Sequence, residues 1–141
     1  MDQDTVVNEQ TESGKRLIEK LTQEGFDVRI AFWARLANEE EWYLYLASPF
    51  VDEHGPRHSY RRVFDVMEQM ADLWIDSMEI RVIGIKDSLT EGALAETRPK
   101  VAGSKFAVRN TKPYPGLTRL RGTTLGGVGI VGAYIYPPSP A

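Results

Sequence analysis

The chain has no cysteine, which excludes disulfides, thiolate nucleophiles and cysteine-ligated zinc or iron–sulfur centres. Its two histidines, His54 and His58, fall in a single turn, "DEHGPRH". There is no acidic residue after Glu96. Long apolar runs are also missing: no window reaches the roughly eighteen uncharged apolar residues of a membrane span, and the longest uncharged stretch, Gly122 to Ala141, is interrupted by Gly and Pro. The opening "MDQDTVVNEQTESGKR" has neither the basic start nor the apolar core of a secretory signal. These absences set the expectation of a cytoplasmic protein with no membrane partner, no metal and no cofactor.

What is present is globular material: 141 residues, 42% hydrophobic and 26% charged, enough for one core without covalent staples. The formal charge of −3 is unevenly spread. Residues 1–98 hold all 20 acids and 11 of the 17 Lys and Arg, whereas Lys100, Lys105, Arg109, Lys112, Arg119 and Arg121 stand without an acid in residues 99–141. Such asymmetry marks either a surface for an acidic partner or a basic tail packed on its own acidic body.

Residues 1–12 are polar and predict a disordered tail, 13–136 a single α+β domain, and 137–141 a Pro-rich end. "SGKRLIEKLTQEG" predicts a helix with Leu17, Ile18 and Leu21 on one face and Gly25 as its left-handed stop. "FDVRIAFWARL" alternates with period two, placing Phe26, Val28, Ile30, Phe32, Ala34 and Leu36 on one face. "EEWYLYLAS" follows after the polar turn "ANEE", so an antiparallel hairpin is expected. Pairing Leu36 with Trp42, Ala34 with Leu44 and Phe32 with Leu46 gathers Trp33, Arg35, Tyr43 and Tyr45 on the opposite face.

The turn "SPFVDEHGP" leads into a helix that Pro56 opens, with Gly55 or His54 as cap and an apolar stripe of Tyr60, Val63, Phe64, Met67, Met70, Ala71 and Trp74. "MEIRVIGIK" reads as a third strand whose Arg81, Ile83 and Ile85 continue the Trp33 face. "DSLTEGALAETR" reads as a helix opened by a Ser88-x-x-Glu91 capping box. "KFAVR" gives a weak edge strand, and "GLTRLRG" with "GVGIVGAYIY" a final pair. The expected fold is α+β and two-layered, a mainly antiparallel sheet with helices on one face, in the order αββαβ(α)ββ.

"GVGIVG", Gly127 to Gly132, has dinucleotide-fingerprint spacing. A fingerprint needs a helix to follow, whose free N–H groups hold the pyrophosphate. Here "AYIYPP" follows and no acid lies downstream for a ribose. The expectation is a glycine-rich strand that something packs closely against.

Three functions are open at this level. The first is a non-catalytic binding module with a protein partner or self-association. The second is single-stranded nucleic-acid binding, in which Trp33, Tyr43 and Tyr45 stack bases while Arg35, Arg119 and Arg121 contact phosphates. The third is an enzyme centred on Asp52, His54 and His58. His54 precedes the helix that carries His58, so their i, i+4 spacing does not place both on one helical face.

Overall fold

The computed structural model describes residues 8–97 and 117–137. The elements are α1 (Asn8–Gln23), β1 (Ile30–Leu36), β2 (Tyr43–Ala47), α2 (Pro49–His54), α3 (Pro56–Glu68), β3 (Ile80–Ile83), α4 (Ser88–Thr97), β4 (Thr118–Leu125) and β5 (Val128–Ile135). They build the expected α+β fold with a mainly antiparallel five-stranded sheet, in the order β3-β2-β1-β5-β4. The weak strand at "KFAVR", the four lysines and arginines from Lys100 to Lys112, residues 1–7 and the Pro-rich end beyond Pro137 lie outside the described residues.

Helix α1 begins at Asn8, inside the stretch 1–12 expected to be disordered: Thr11 is buried and its carbonyl accepts from the Tyr136 hydroxyl at 2.6 Å, which ties the first turn down. Its end follows the sequence. Gly25 has φ +87°, Phe26 N–H donates to Leu21 O and Gly25 N–H to Thr22 O, and the side chains of Leu21 and Phe26 join one buried cluster. This is a Schellman stop with its hydrophobic contact.

The β1–β2 hairpin is antiparallel but one residue out of the expected register: Phe32 lies opposite Tyr45, Trp33 opposite Leu44 and Ala34 opposite Tyr43. A one-residue slip moves every side chain to the other face. The cause lies in the Ala37–Trp42 connection, where the Glu39 carboxylate accepts a hydrogen bond from Leu36 N–H at 3.4 Å while Glu39 N–H returns to Leu36 O. Trp42 therefore lies outside the ladder and packs beneath it. In addition, Phe26 and Val28 precede β1 and join the cluster that holds Trp33, opposite Ile30 and Phe32.

β3 runs parallel to β2 through the α2–α3 crossover, Tyr45 beside Arg81 and Leu46 beside Val82. Arg81 and Ile83 thus share the face of Tyr45 and not that of Trp33. β4 and β5, the expected final pair of strands, form an antiparallel hairpin in which β4 runs past Gly122 to Leu125 and the turn is Gly126 and Gly127, at φ +59° and +83°, the two positive angles of a type I′ turn. The fingerprint-like segment is accordingly a hairpin turn followed by a strand between β1 and β4. Gly132 is the close approach that glycine spacing implied: a Cβ there would lie 2.9 Å from Trp42 Cη2. A register shift between Arg35 and Leu36 interrupts the β1–β5 ladder, so Ile130 shares a face with Ala133 and Ile135, and Tyr134 lies on the other.

Both sheet faces are covered, which corrects the expectation of helices on one face. Leu17 and Leu21 of α1 with Val63 and Val66 of α3 pack over Trp33, Leu44, Leu46 and Val82. Leu89 and Ala93 of α4 pack over Ile30, Phe32, Tyr45, Ile130 and Ile135. Each large aliphatic side chain buried in this way contributes about 1.5–3 kcal/mol. The cap of α4 also differs: the Asp87 carboxylate, not Ser88, accepts from Leu89 N–H at 2.9 Å. Gly55 and Pro56 open α3 as read, but the stretch before them, expected to be a turn, holds the short helix α2: the Ser48 hydroxyl accepts from Phe50 N–H and Pro49 fits the first helical position.

Candidate functional site

The aromatic platform does not assemble. Trp33 is fully buried, with its Nε1–H donating to the Tyr136 hydroxyl at 3.0 Å and that hydroxyl donating to Thr11 O at 2.6 Å. Tyr45 is buried on the other face, stacked on Phe32 with ring centroids 5.1 Å apart and donating to Glu39 Oε1 at 3.4 Å. Burial first, and then the Glu39 charge, push its phenol pKa well above the ordinary value. Tyr43 is half-buried under the Arg81 guanidinium, 3.9 Å from its ring centroid. Arg35 Nε donates to Glu39 O at 3.1 Å. Arg119 and Arg121 are exposed on β4, Arg119 lying 5.4 Å from the Tyr134 ring. The six residues are divided between two faces and an edge strand.

The histidine loop divides in the same way. Asp52 Oδ2 accepts from Ile85 N–H at 2.9 Å, and its carboxylate occupies the space where a Cβ of Gly84 would stand. That commits Asp52 to holding α2 against the β3–α4 connection. Among the described residues no three His, Asp or Glu converge as a metal site.

His54 and His58 do come together in a different setting. They line an open groove of about 210 Å³ between α2 and α3, with Phe50, Arg61, Arg62 and Asp65. Residues 58, 61, 62 and 65 are spaced as one helical face, and Gly55 at φ +89° turns α2 back so that Phe50 and His54 complete the groove. The Phe50 ring lies 4.4 Å from His54 and 5.3 Å from Phe26. Arg62 is anchored, 5.4 Å from the Phe50 centroid and donating to Glu24 O at 3.1 Å.

A second surface is one that sequence periodicity assigns to the core. Trp74, in phase with the α3 stripe, is 62% exposed, and Met78 is 78% exposed. Helix α3 stops at Glu68 without Gly or Pro: Gln69 and Met70 N–H groups turn to Val66 and Met67 carbonyls, and Asp72 takes φ +56°, a left-handed conformation that Asp tolerates better than most residues. The 69–79 connection is nonetheless held in place. Arg16 donates to Ala71 O at 2.9 Å and Asp72 O at 3.3 Å, and Trp74 N–H donates to Ser13 Oγ at 2.9 Å. Ile75 is buried, and a reciprocal Asp76–Glu79 capping box shapes the turn beneath Met78. Glu79 also accepts from Gln10 Nε2 at 3.2 Å. No sequence signal separates Trp74 from the residues of the stripe that are buried.

No family model, curated protein or solved structure matches the chain. Among the described residues, no helix is long and apolar enough to cross a membrane.

Proposed function

We propose that the chain is a non-catalytic binding module that docks an apolar, basic segment of a partner protein on the 69–79 connection. The observation that carries this reading is the exposure of Trp74 and Met78 on a backbone fixed by Arg16, Ser13 and the Asp76–Glu79 turn. Trp and Met are enriched at protein interfaces, and a side chain presented on an ordered backbone loses little entropy on binding. The chemistry of the partner follows from the connection: residues 69–79 carry Asp72, Asp76 and Glu79 and no Lys or Arg of their own, and the two guanidiniums that reach them, Arg16 and Arg81, are turned to the Ala71, Asp72 and Met78 carbonyls, so a Lys- or Arg-containing apolar segment is complementary.

The test is selection from a displayed peptide library, with affinity for the recovered peptides measured on wild type, Trp74→Ala and Arg121→Ala. Peptides rich in Leu, Phe, Lys and Arg are expected, with affinity at least about tenfold weaker in Trp74→Ala, as for a central aromatic contact. Arg121→Ala should leave affinity unchanged. Equal affinity for all three proteins removes the reading. A wild-type dimer in light scattering that Trp74→Ala dissociates replaces the partner protein by a second copy.

A further inference from the structure

The geometry points to a second, independent site: the α2–α3 groove binds a small organic oxyanion of aryl-phosphate chemistry, its charge held by Arg61 and His58 and its ring against Phe50. The groove runs against the charge balance of the sequence that builds it. Residues 1–98 carry nearly twice as many acids as Lys and Arg, yet the groove is lined by two arginines and two histidines with Asp65 as its one acidic lining residue.

The four nitrogen-bearing side chains differ in what already occupies them. Arg62 is spent on Glu24 O and Phe50, and His54 lies against Phe50 and 3.8 Å from Glu53 Oε1. Arg61 and His58, both exposed, make no hydrogen bond or ion pair with any described residue. Asp65 forms no ion pair within 4.0 Å with either arginine. A planar guanidinium with unused N–H groups, beside an imidazole and at the first turns of a 13-residue helix, is matched to an oxyanion.

The groove's size and its aromatic wall set the rest of the ligand. At about 210 Å³ it is smaller than the roughly 300–1,000 Å³ of drug-sized pockets and suits one ring. Phe50 is half-buried, so part of its ring remains as an apolar wall. A ligand that carries both ring and anion uses both features, and neither half alone does.

The experiment is an amide-shift titration of the whole chain with phenyl phosphate, inorganic phosphate and phenol, repeated on Arg61→Ala and on Arg57→Ala. Arg57 is an exposed arginine of the same helix outside the groove, so its variant controls for net charge. Expected are saturable shifts at residues 50–65, tighter for phenyl phosphate than for either fragment, and weakened about tenfold or more in Arg61→Ala alone, the usual scale for a charge-assisted hydrogen bond. Shifts that are absent, that centre elsewhere, or that weaken equally in both variants overturn the assignment. Equal affinity for inorganic phosphate overturns its organic part. Because Trp74 is not in the groove, Trp74→Ala should leave this titration unchanged, which separates its outcome from that of the peptide test.

Discussion

Single residues in this protein act by what they exclude as much as by what they contact. Glu79 carries the clearest titration consequence. Burial raises its carboxyl pKa above the ordinary 4.5, the hydrogen bond from Asp76 N–H opposes that rise, and the Asp76 and Glu41 charges add to it. A carboxyl that holds its proton more tightly folded than unfolded takes up protons on folding in the window just above 4.5, so its contribution to stability falls as pH rises through that window. Glu79→Gln keeps an acceptor for Asp76 N–H and removes the titration. Melting temperatures compared between pH 4 and pH 7 should therefore fall less for Glu79→Gln than for wild type over the pH range. An identical pH profile for the two proteins would mean that Glu79 senses no burial.

At the scale of elements, what was legible in the sequence was local and what was not was long-range. Gly25, Gly55 and Pro56 act within a few residues of themselves, and each ends or opens the element that its chemistry implies; Gly127, expected within a strand, belongs to the turn before it. The β1–β2 register depended on the Glu39 carboxylate folding back on Leu36 N–H, which alternation alone does not encode, and one residue of slip was enough to separate Trp33 from Tyr43 and Tyr45. The start of α1 was hidden because Asn8 to Glu12 look like a solvated tail until Thr11 is seen buried with its carbonyl bound by the Tyr136 hydroxyl. Trp74 was hidden for the opposite reason, being in phase with a helix that ends six residues earlier. The shifted cap of α4 is testable directly. Asp87→Ala removes the acceptor of Leu89 N–H and should cost about 1 kcal/mol in urea unfolding, while Ser88→Ala should cost only a few tenths of that. Equal losses would restore Ser88 as the cap.

For the molecule as a whole, the two covered sheet faces leave the candidate surfaces at the periphery: a held loop at one end of α1, a groove on α2 and α3, and two edges of unequal character. The β3 edge is covered in part by a side chain, since Val82 N–H donates to the Tyr60 hydroxyl at 3.0 Å. The β4 edge carries the exposed Arg119 and Arg121 and a left-handed Gly122 at φ +51°, devices that discourage strand addition. The interior is closed by the chain from Trp33 through Tyr136 to Thr11. Tyr136→Phe should lower stability by about 1 kcal/mol, and amide exchange should accelerate at residues 8–14 well before it does in β2. Uniform acceleration throughout would show that α1 and the sheet open as one unit.

The position of β1 has a consequence for how this protein is made. Of the described strands it is the first to be synthesised and the middle one of the sheet, paired with β2 on one side and with β5, the last of them, on the other. During translation one side of β1, with the backbone groups of Ala31 to Leu36 that β5 will take, waits open while roughly a hundred further residues are added. Thr11 waits longer, 125 residues, for Tyr136. The nascent chain thus passes through a stage with an apolar strand edge displayed and no native partner yet in existence, the kind of species that holding chaperones recognise and that aggregates when they are scarce. Late closure of this sort makes the yield of folded protein depend on the rate at which the final hairpin emerges from the ribosome.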